Sequence, residues 1–133
     1  GNTALGRRAM SDGVTAKRVV AIGSLTLQKS NGDRAVAIGA SAGLNNESGL
    51  GNVFIGASAG SNHVSGDRNI IIGFDSKTAS TTSSDYLSIG GVIKSDMTSK
   101  VIEMAKLLLS ELPTSKPPQN GMVWRDGETL KIV

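Results

Sequence analysis

The chain has 133 residues, only four aromatics (two Phe, one Tyr, one Trp), no cysteine and a formal net charge of +3. So little aromatic area argues against a thick layered core, while 17 glycines favour thin structure with close backbone approach. The composition excludes a disulfide framework and a thiolate metal site, and no stretch is apolar enough to span a bilayer or patterned as a signal peptide.

Basic residues gather early: Arg7, Arg8, Lys17, Arg18, Lys29 and Arg34 stand against Asp12 and Asp33. With no aromatics interleaved, this reads as a solvated face, weakly attractive to anionic polymers, and not as a nucleic-acid surface.

The dominant signal is a repeat. Glycines preceded by two alternating large residues, mostly aliphatic, occur at Gly6, Gly23, Gly39, Gly56, Gly73 and Gly90, at spacings of 17, 16, 17, 17 and 17 residues. A period this constant predicts a repeat architecture. Positions can be counted from each coil glycine. Position −1 holds Leu5, Ile22, Ile38, Ile55, Ile72 and Ile89; position −3 holds Thr3, Val20, Val36, Val53, Ile70 and Leu87. Side chains alternate along a strand, so these columns share one face, and their bulk assigns that face to the core. Position −2 holds Ala4, Ala21, Ala37, Phe54, Ile71 and Ser88. No charge stands there, so the second face is also expected to be covered.

The rest of each repeat reads as turns. Gly32, Gly49 and Gly66 at −7 mark chain reversals, and Asn2, Asn52 and Asn69 at −4 can bond neighbouring backbone or stack on their equivalents. The second repeat has Gly13 instead of a turn glycine at its usual place, and the last has Ser83 and Tyr86 in place of Gly and Asn. "ASAG" at 40–43 and 57–60 suits a tight corner; it lacks the Lys-Ser/Thr of a phosphate loop. The predicted fold is mainly β: a β-solenoid of about six coils over residues 1–95, roughly 29 Å long at about 4.8 Å per coil. Identical chains are the natural cover for the second face. The expected arrangement is therefore a homotrimer, with Ala37, Phe54 and Ile71 at its interface.

Past Gly91 the period stops. Met97, Val101, Met104, Ala105, Leu108 and Leu112 recur at three- and four-residue spacing, which predicts a helix over 96–112 ended by Pro113. Its wide apolar face is expected to pack around the trimer axis through Val101, Met104, Leu108 and Leu112. Residues 113–133 read as a rigid connection and a β-hairpin with a type I′ turn at Asp126-Gly127, anchored by Trp124.

Phrases such as "NTALG", "RAVAIGASAG" and "NVFIGASAG" resemble the repeats of bacteriophage tail fibres and, more distantly, the heads of trimeric autotransporter adhesins. "SSDYLSIGGVIKSD" (83–96) and "LPTSKPPQNGMVWRDGETLKIV" (112–133) are similar to the closing stretches of phage fibre proteins. The resemblance implies the distal, C-terminal part of a homotrimeric virion fibre that binds a bacterial surface polysaccharide or outer-membrane protein, with no membrane insertion. It also implies no catalysis and no cofactor. The alternatives are an adhesin head, a purely structural shaft and a solenoid enzyme. His63 is the only histidine and has no visible metal partners, so it reads as an exposed turn residue. His63, Tyr86 and Trp124 are the candidate receptor contacts. "STTSSD" (80–85) reads as a solvated loop.

Overall fold

The computed structural model describes residues 1–12, 15–104, 123–126 and 129–132. Six short strands recur at the repeat period: β1 (Thr3–Leu5), β2 (Val20–Ile22), β3 (Val36–Ile38), β4 (Val53–Ile55), β5 (Ile70–Ile72) and β6 (Tyr86–Ile89). They pair in chain order as one parallel sheet. The register matches repeat to repeat, with Val36 opposite Val53, Ala37 opposite Phe54 and Ile38 opposite Ile55. Parallel neighbours need a long crossover, and here each crossover is the rest of one coil. The protein is a β-solenoid of about five turns.

The corners explain the period. The residue at +2 is left-handed in five coils: Arg8, Leu25, Ser41, Ser58 and Asp75 have φ of 58°, 59°, 57°, 59° and 50°. A non-glycine residue there costs roughly 1–2 kcal/mol. Coil-to-coil bonds at the same point offset this: the Ser41 N–H donates to Ser24 O and the Ser58 N–H to Ala40 O, each at 2.8 Å. "ASAG" is therefore the corner that its small residues predicted.

The coil glycine answers to a stricter constraint. Its φ lies between 123° and 136° in the first five coils, a region that L side chains avoid. A Cβ on Gly39 would stand 2.6 Å from the Gly56 carbonyl carbon, and one on Gly56 2.6 Å from Gly73 O. Glycine stacks on glycine along the rod. The turn column behaves alike, since a Cβ on Gly32 would meet Gly49 O at 1.9 Å. In the second repeat Ala16 occupies that turn: Asn2 Nδ2 donates to Ala16 O at 2.7 Å, as Asn52 Nδ2 does to Gly66 O at 3.0 Å.

The interior is the reverse of the expectation. Position −2 points inward: Ala21, Ala37, Phe54 and Ile71 are fully buried within one chain. Ala37, Phe54 and Ile71 therefore cannot form an interface between chains, and the bulky −1 and −3 columns face outward. The reason is width. The lumen of so thin a coil admits mostly small side chains, and bulk on one wall is matched by glycine on the other. Phe54 fills the space beside Gly43 and Gly60, where a Cβ on Gly60 would lie 2.1 Å from the Phe54 ring. Leu27 reaches in where the strand column carries Ala21 and Ala37.

After β6 the winding stops. Gly90 and Gly91, at φ 58° and 70°, reverse the chain, with the Val92 N–H donating to Ile89 O at 3.0 Å. Strand β7 (Ile93–Asp96) runs back antiparallel to β6, and β8 (Glu103–Met104) antiparallel to β7. The sheet thus continues past residue 95. The expected helix does not begin at 96: residues 97–100 form a turn and β8 follows, because strand pairing to β7 supersedes the helical spacing. Residues 105–112, with Leu108 and Leu112, lie outside the described residues. The C-terminal hairpin forms as β9 (Val123–Asp126) paired with β10 (Thr129–Ile132). Asp126 closes β9 opposite Thr129 instead of sitting in the turn.

The glycine stack yields a test. Gly39→Ala should lower unfolding free energy by more than about 3 kcal/mol, since it adds backbone overlap to an unfavourable φ. Gly51→Ala should cost only about 1 kcal/mol: φ there is 65°, and the nearest atom to a new Cβ is Arg68 Cγ at 3.9 Å. Urea titration followed by circular dichroism checks the difference; equal losses would contradict the stacking argument.

Candidate functional site

Three features could carry function: an apolar outer face, a polar interior column and a groove where the winding ends. The outer face consists of the −1 and −3 columns. Leu5 is 67% exposed and Ile38 40%, with Ile22 and Ile89 similar to Ile38. Ile55, Ile72 and the −3 residues from Val20 to Leu87 are half-buried. No charged residue stands in either column. Parallel sheets are normally covered on both faces, which makes a partly exposed aliphatic ladder of this kind a candidate contact surface.

Inside, asparagines tie coil to coil as their position predicted. Asn52 Oδ1 accepts from the Asn69 backbone N–H at 2.9 Å and from Asn69 Nδ2 at 3.0 Å. Asn69 Oδ1 in turn accepts from the Tyr86 N–H at 3.0 Å, and Asn69 Nδ2 donates to Ser83 O at 2.7 Å. Asn46, Asn52 and Asn69 are fully buried. Satisfied buried amides of this kind define a single register, because a slipped coil would strand them.

His63 belongs to this column. It occupies the +7 position that Asn46 holds one coil earlier and Ser30 two coils earlier, and it is fully buried, so it is not an exposed receptor contact. The period places it inward with Asn46, a signal that inspection of the "GSNHVSG" turn alone does not carry. Its ring lies 5.6 Å from that of Phe54, and Nε2 is 3.1 Å from Gly66 O. Asn52 Nδ2 already donates to Asn46 Oδ1 and Gly66 O, so the 3.3 Å approach of Nε2 to it is no further bond and Nε2–H donates to Gly66 O. Nδ1 is then a buried lone pair without a partner. Burial lowers the pKa of His63 below its ordinary 6.5, outweighing the Gly66 carbonyl and Asp67, which raise it.

The groove lies beside Tyr86 at the end of the solenoid. Its two halves, each of about 420 Å³, share Ala79, Tyr86 and Lys94. Phe74 stands at one end, 84% exposed. The sequence reading did not single out Phe74, although it follows Ser24, Ala40 and Ala57 at the same position in the three preceding coils. Of "STTSSD", Ser80 and Ser83 bond each other, and Ser83 and Ser84 line the groove. Among the described residues there is no cluster of His, Cys, Asp and Glu able to hold a metal ion.

The predicted site residues are thus dispersed. Tyr86 is half-buried at the groove, Val101 is exposed, and Met104 lies in β8. Trp124 lies in β9 opposite Lys131. Comparison with protein-family models, curated protein sequences and solved structures finds no match for this chain. What it is defined by is its architecture, a β-solenoid with an aliphatic strand face.

The histidine gives a pH signature. Its pKa is depressed on folding, so in the window below 6.5 the unfolded chain binds a proton that the folded chain does not. Its contribution to stability is full above about pH 7.5 and falls with pH through 6.5, at up to ~1.4 kcal/mol per unit. Thermal melts across pH 5–8 should show this slope, and His63→Asn, copying Asn46, should flatten it. A slope unchanged by the substitution would assign the effect to other groups.

Proposed function

We propose that the protein is a fibre module of the bacteriophage tail-fibre kind, a homotrimer that presents its end to a bacterial surface. The observation that carries this reading is the outer aliphatic ladder. It is uncharged and runs the length of the described stack, with aliphatic residues in both columns at every rung after the first, where Thr3 stands beside Leu5. A sister chain in the same register meets it with an identical ladder, which makes the surface self-complementary about a rotation axis. The −1 and −3 columns, with Ile38, Ile55 and Ile72 at the centre, form the interface, and position −2 fills each coil. The repeat phrases shared in pattern with phage fibres support three copies. Adhesion then works by avidity, three weak contacts acting together on a rod of fixed reach.

Sedimentation equilibrium at micromolar concentration should give three times the 13.6 kDa chain mass. Ile38→Lys combined with Ile55→Lys should yield monomers, since a charge buried without a partner costs several kcal/mol. Ser48→Lys, in an exposed turn, should leave assembly unchanged. A well-folded wild-type monomer, or a double variant that assembles normally, would refute the reading. Labelled trimer should also bind host cells; an inert trimer would reduce it to a shaft.

A further inference from the structure

The corner that leads into each strand carries a column of left-handed residues at position −5. Arg18, Arg34, Gly51, Arg68 and Asp85 have φ of 61°, 60°, 65°, 56° and 53°. Each N–H after the first donates to the carbonyl at −6 of the coil below: Arg34 to Lys17, Gly51 to Asp33, Arg68 to Leu50 and Asp85 to Asp67, at 2.8 or 2.9 Å. The five residues therefore stand one over another along the rod, about 4.8 Å apart.

This column holds the same corner twice. "GDR" occurs at 32–34 and again at 66–68. In each copy the aspartate accepts a backbone N–H from the coil below, Asp33 from Lys17 at 2.8 Å and Asp67 from Leu50 at 2.9 Å. In the upper copy Asp85 stands over the arginine. Arg68 Nε and Nη2 donate to its two carboxylate oxygens at 2.7 and 2.6 Å, and these bonds hold Asp85 below the usual carboxylate range. In the lower copy the residue over the arginine is Gly51, which brings no side chain. Arg34 is exposed, and among the described residues no carboxylate lies within ion-pair distance of it or of Arg18 one coil below. There is room over Arg34, since the atom nearest to a Cβ on Gly51 would be Arg68 Cγ at 3.9 Å.

We propose that Arg34 is a binding site for the carboxylate of an acidic saccharide, held by its guanidinium as Arg68 holds Asp85. The choice of a saccharide rests on the adhesive reading above, whereas the anion site rests on the repeated corner. A guanidinium presents paired N–H groups in a planar fork that matches a carboxylate. Arg18 adds a second guanidinium to the positive field around the site. A sister chain does not supply the carboxylate. In a cyclic trimer the N-terminal edge of one ladder faces the C-terminal edge of the next. At the height of this site that edge holds Ala40, Ser41, Ala57 and Ser58. Solvent-exposed ion pairs are individually weak, so one site binds weakly and several copies act together in firm attachment.

The full chain can be titrated with tetragalacturonate and with neutral maltotetraose in about 0.15 M salt, which screens distant charges. NMR of the arginine Nε–H groups follows the site. In the free protein the Arg68 Nε–H should exchange slowly and that of Arg34 fast. Tetragalacturonate should saturate at millimolar concentration, shifting and protecting the Arg34 Nε–H, and maltotetraose should leave it unmoved. Arg34→Gln should weaken binding about tenfold. Gly51→Asp should do the same, because it supplies the carboxylate from within the chain, on a backbone conformation that Asp85 already adopts in this column. The Arg34 Nε–H of that variant should be protected without any ligand. Lys29→Gln removes an equal charge at another exposed corner and should change nothing. The proposal is overturned if tetragalacturonate fails to saturate, if Arg34→Gln or Gly51→Asp binds like wild type, or if maltotetraose binds equally. It is also overturned if Lys29→Gln weakens binding as much as Arg34→Gln, which would reduce the effect to net charge. An Arg34 Nε–H already protected in the free protein would give the site to a carboxylate of another copy, and overturns it too. Saccharide binding by a protein that does not attach to host cells would keep the site and defeat the adhesive reading; attachment without saccharide binding would do the opposite.

Discussion

The structure depends on backbone lying directly on backbone at the coil glycines. At that point successive coils are so close that a single methyl group would overlap the carbonyl of the next coil, as at Gly39 over Gly56. This contact sets the spacing between rungs, and the other repeated features follow from it. The parallel strands pair because the coils are stacked at hydrogen-bonding distance. The left-handed corners at Ser41 and Ser58 are held because their N–H groups reach the coil before. The asparagine amides bridge neighbouring coils because the coils stand one amide length apart.

So narrow a coil inverts the usual distribution of polarity. Its inside holds mostly alanines, with Val19, Leu27, Phe54 and Ile71 among them and a row of asparagines, while the valines and isoleucines of the −1 and −3 columns stand outside. Hydrogen bonds join apolar burial in holding the interior, and Asn52 alone links to Asn46, Gly66 and Asn69. The aliphatic ladder on the outside stays partly exposed in the single chain. A thin repeat of this kind is consistent with a fibre-like fold, with the inner and outer columns of each strand in different surroundings.

The end of the stack differs from its middle. Two glycines turn the chain back, and the asparagine column terminates at Tyr86. The exposed ring of Phe74 occurs at this place, where the residues depart from the repeat.

Much of this was legible in the sequence because the glycine period and the strand and corner residues are local properties, each readable from spacing and residue type. The parallel rungs, the corners at "ASAG", the asparagine contacts and the C-terminal hairpin follow from those signals. Which strand face looks inward was decided only by the tertiary structure. Alternation divides a strand into two sets but does not label them, and bulk misled the assignment of Ala37, Phe54 and Ile71 because the lumen is too narrow for the larger columns. The burial of His63 came from its place across the coil beside Phe54 and Asn52, residues distant in sequence. The fate of residues 97–104 was likewise set by pairing to β7, since helical spacing in a short segment yields to a neighbouring strand edge that offers hydrogen bonds.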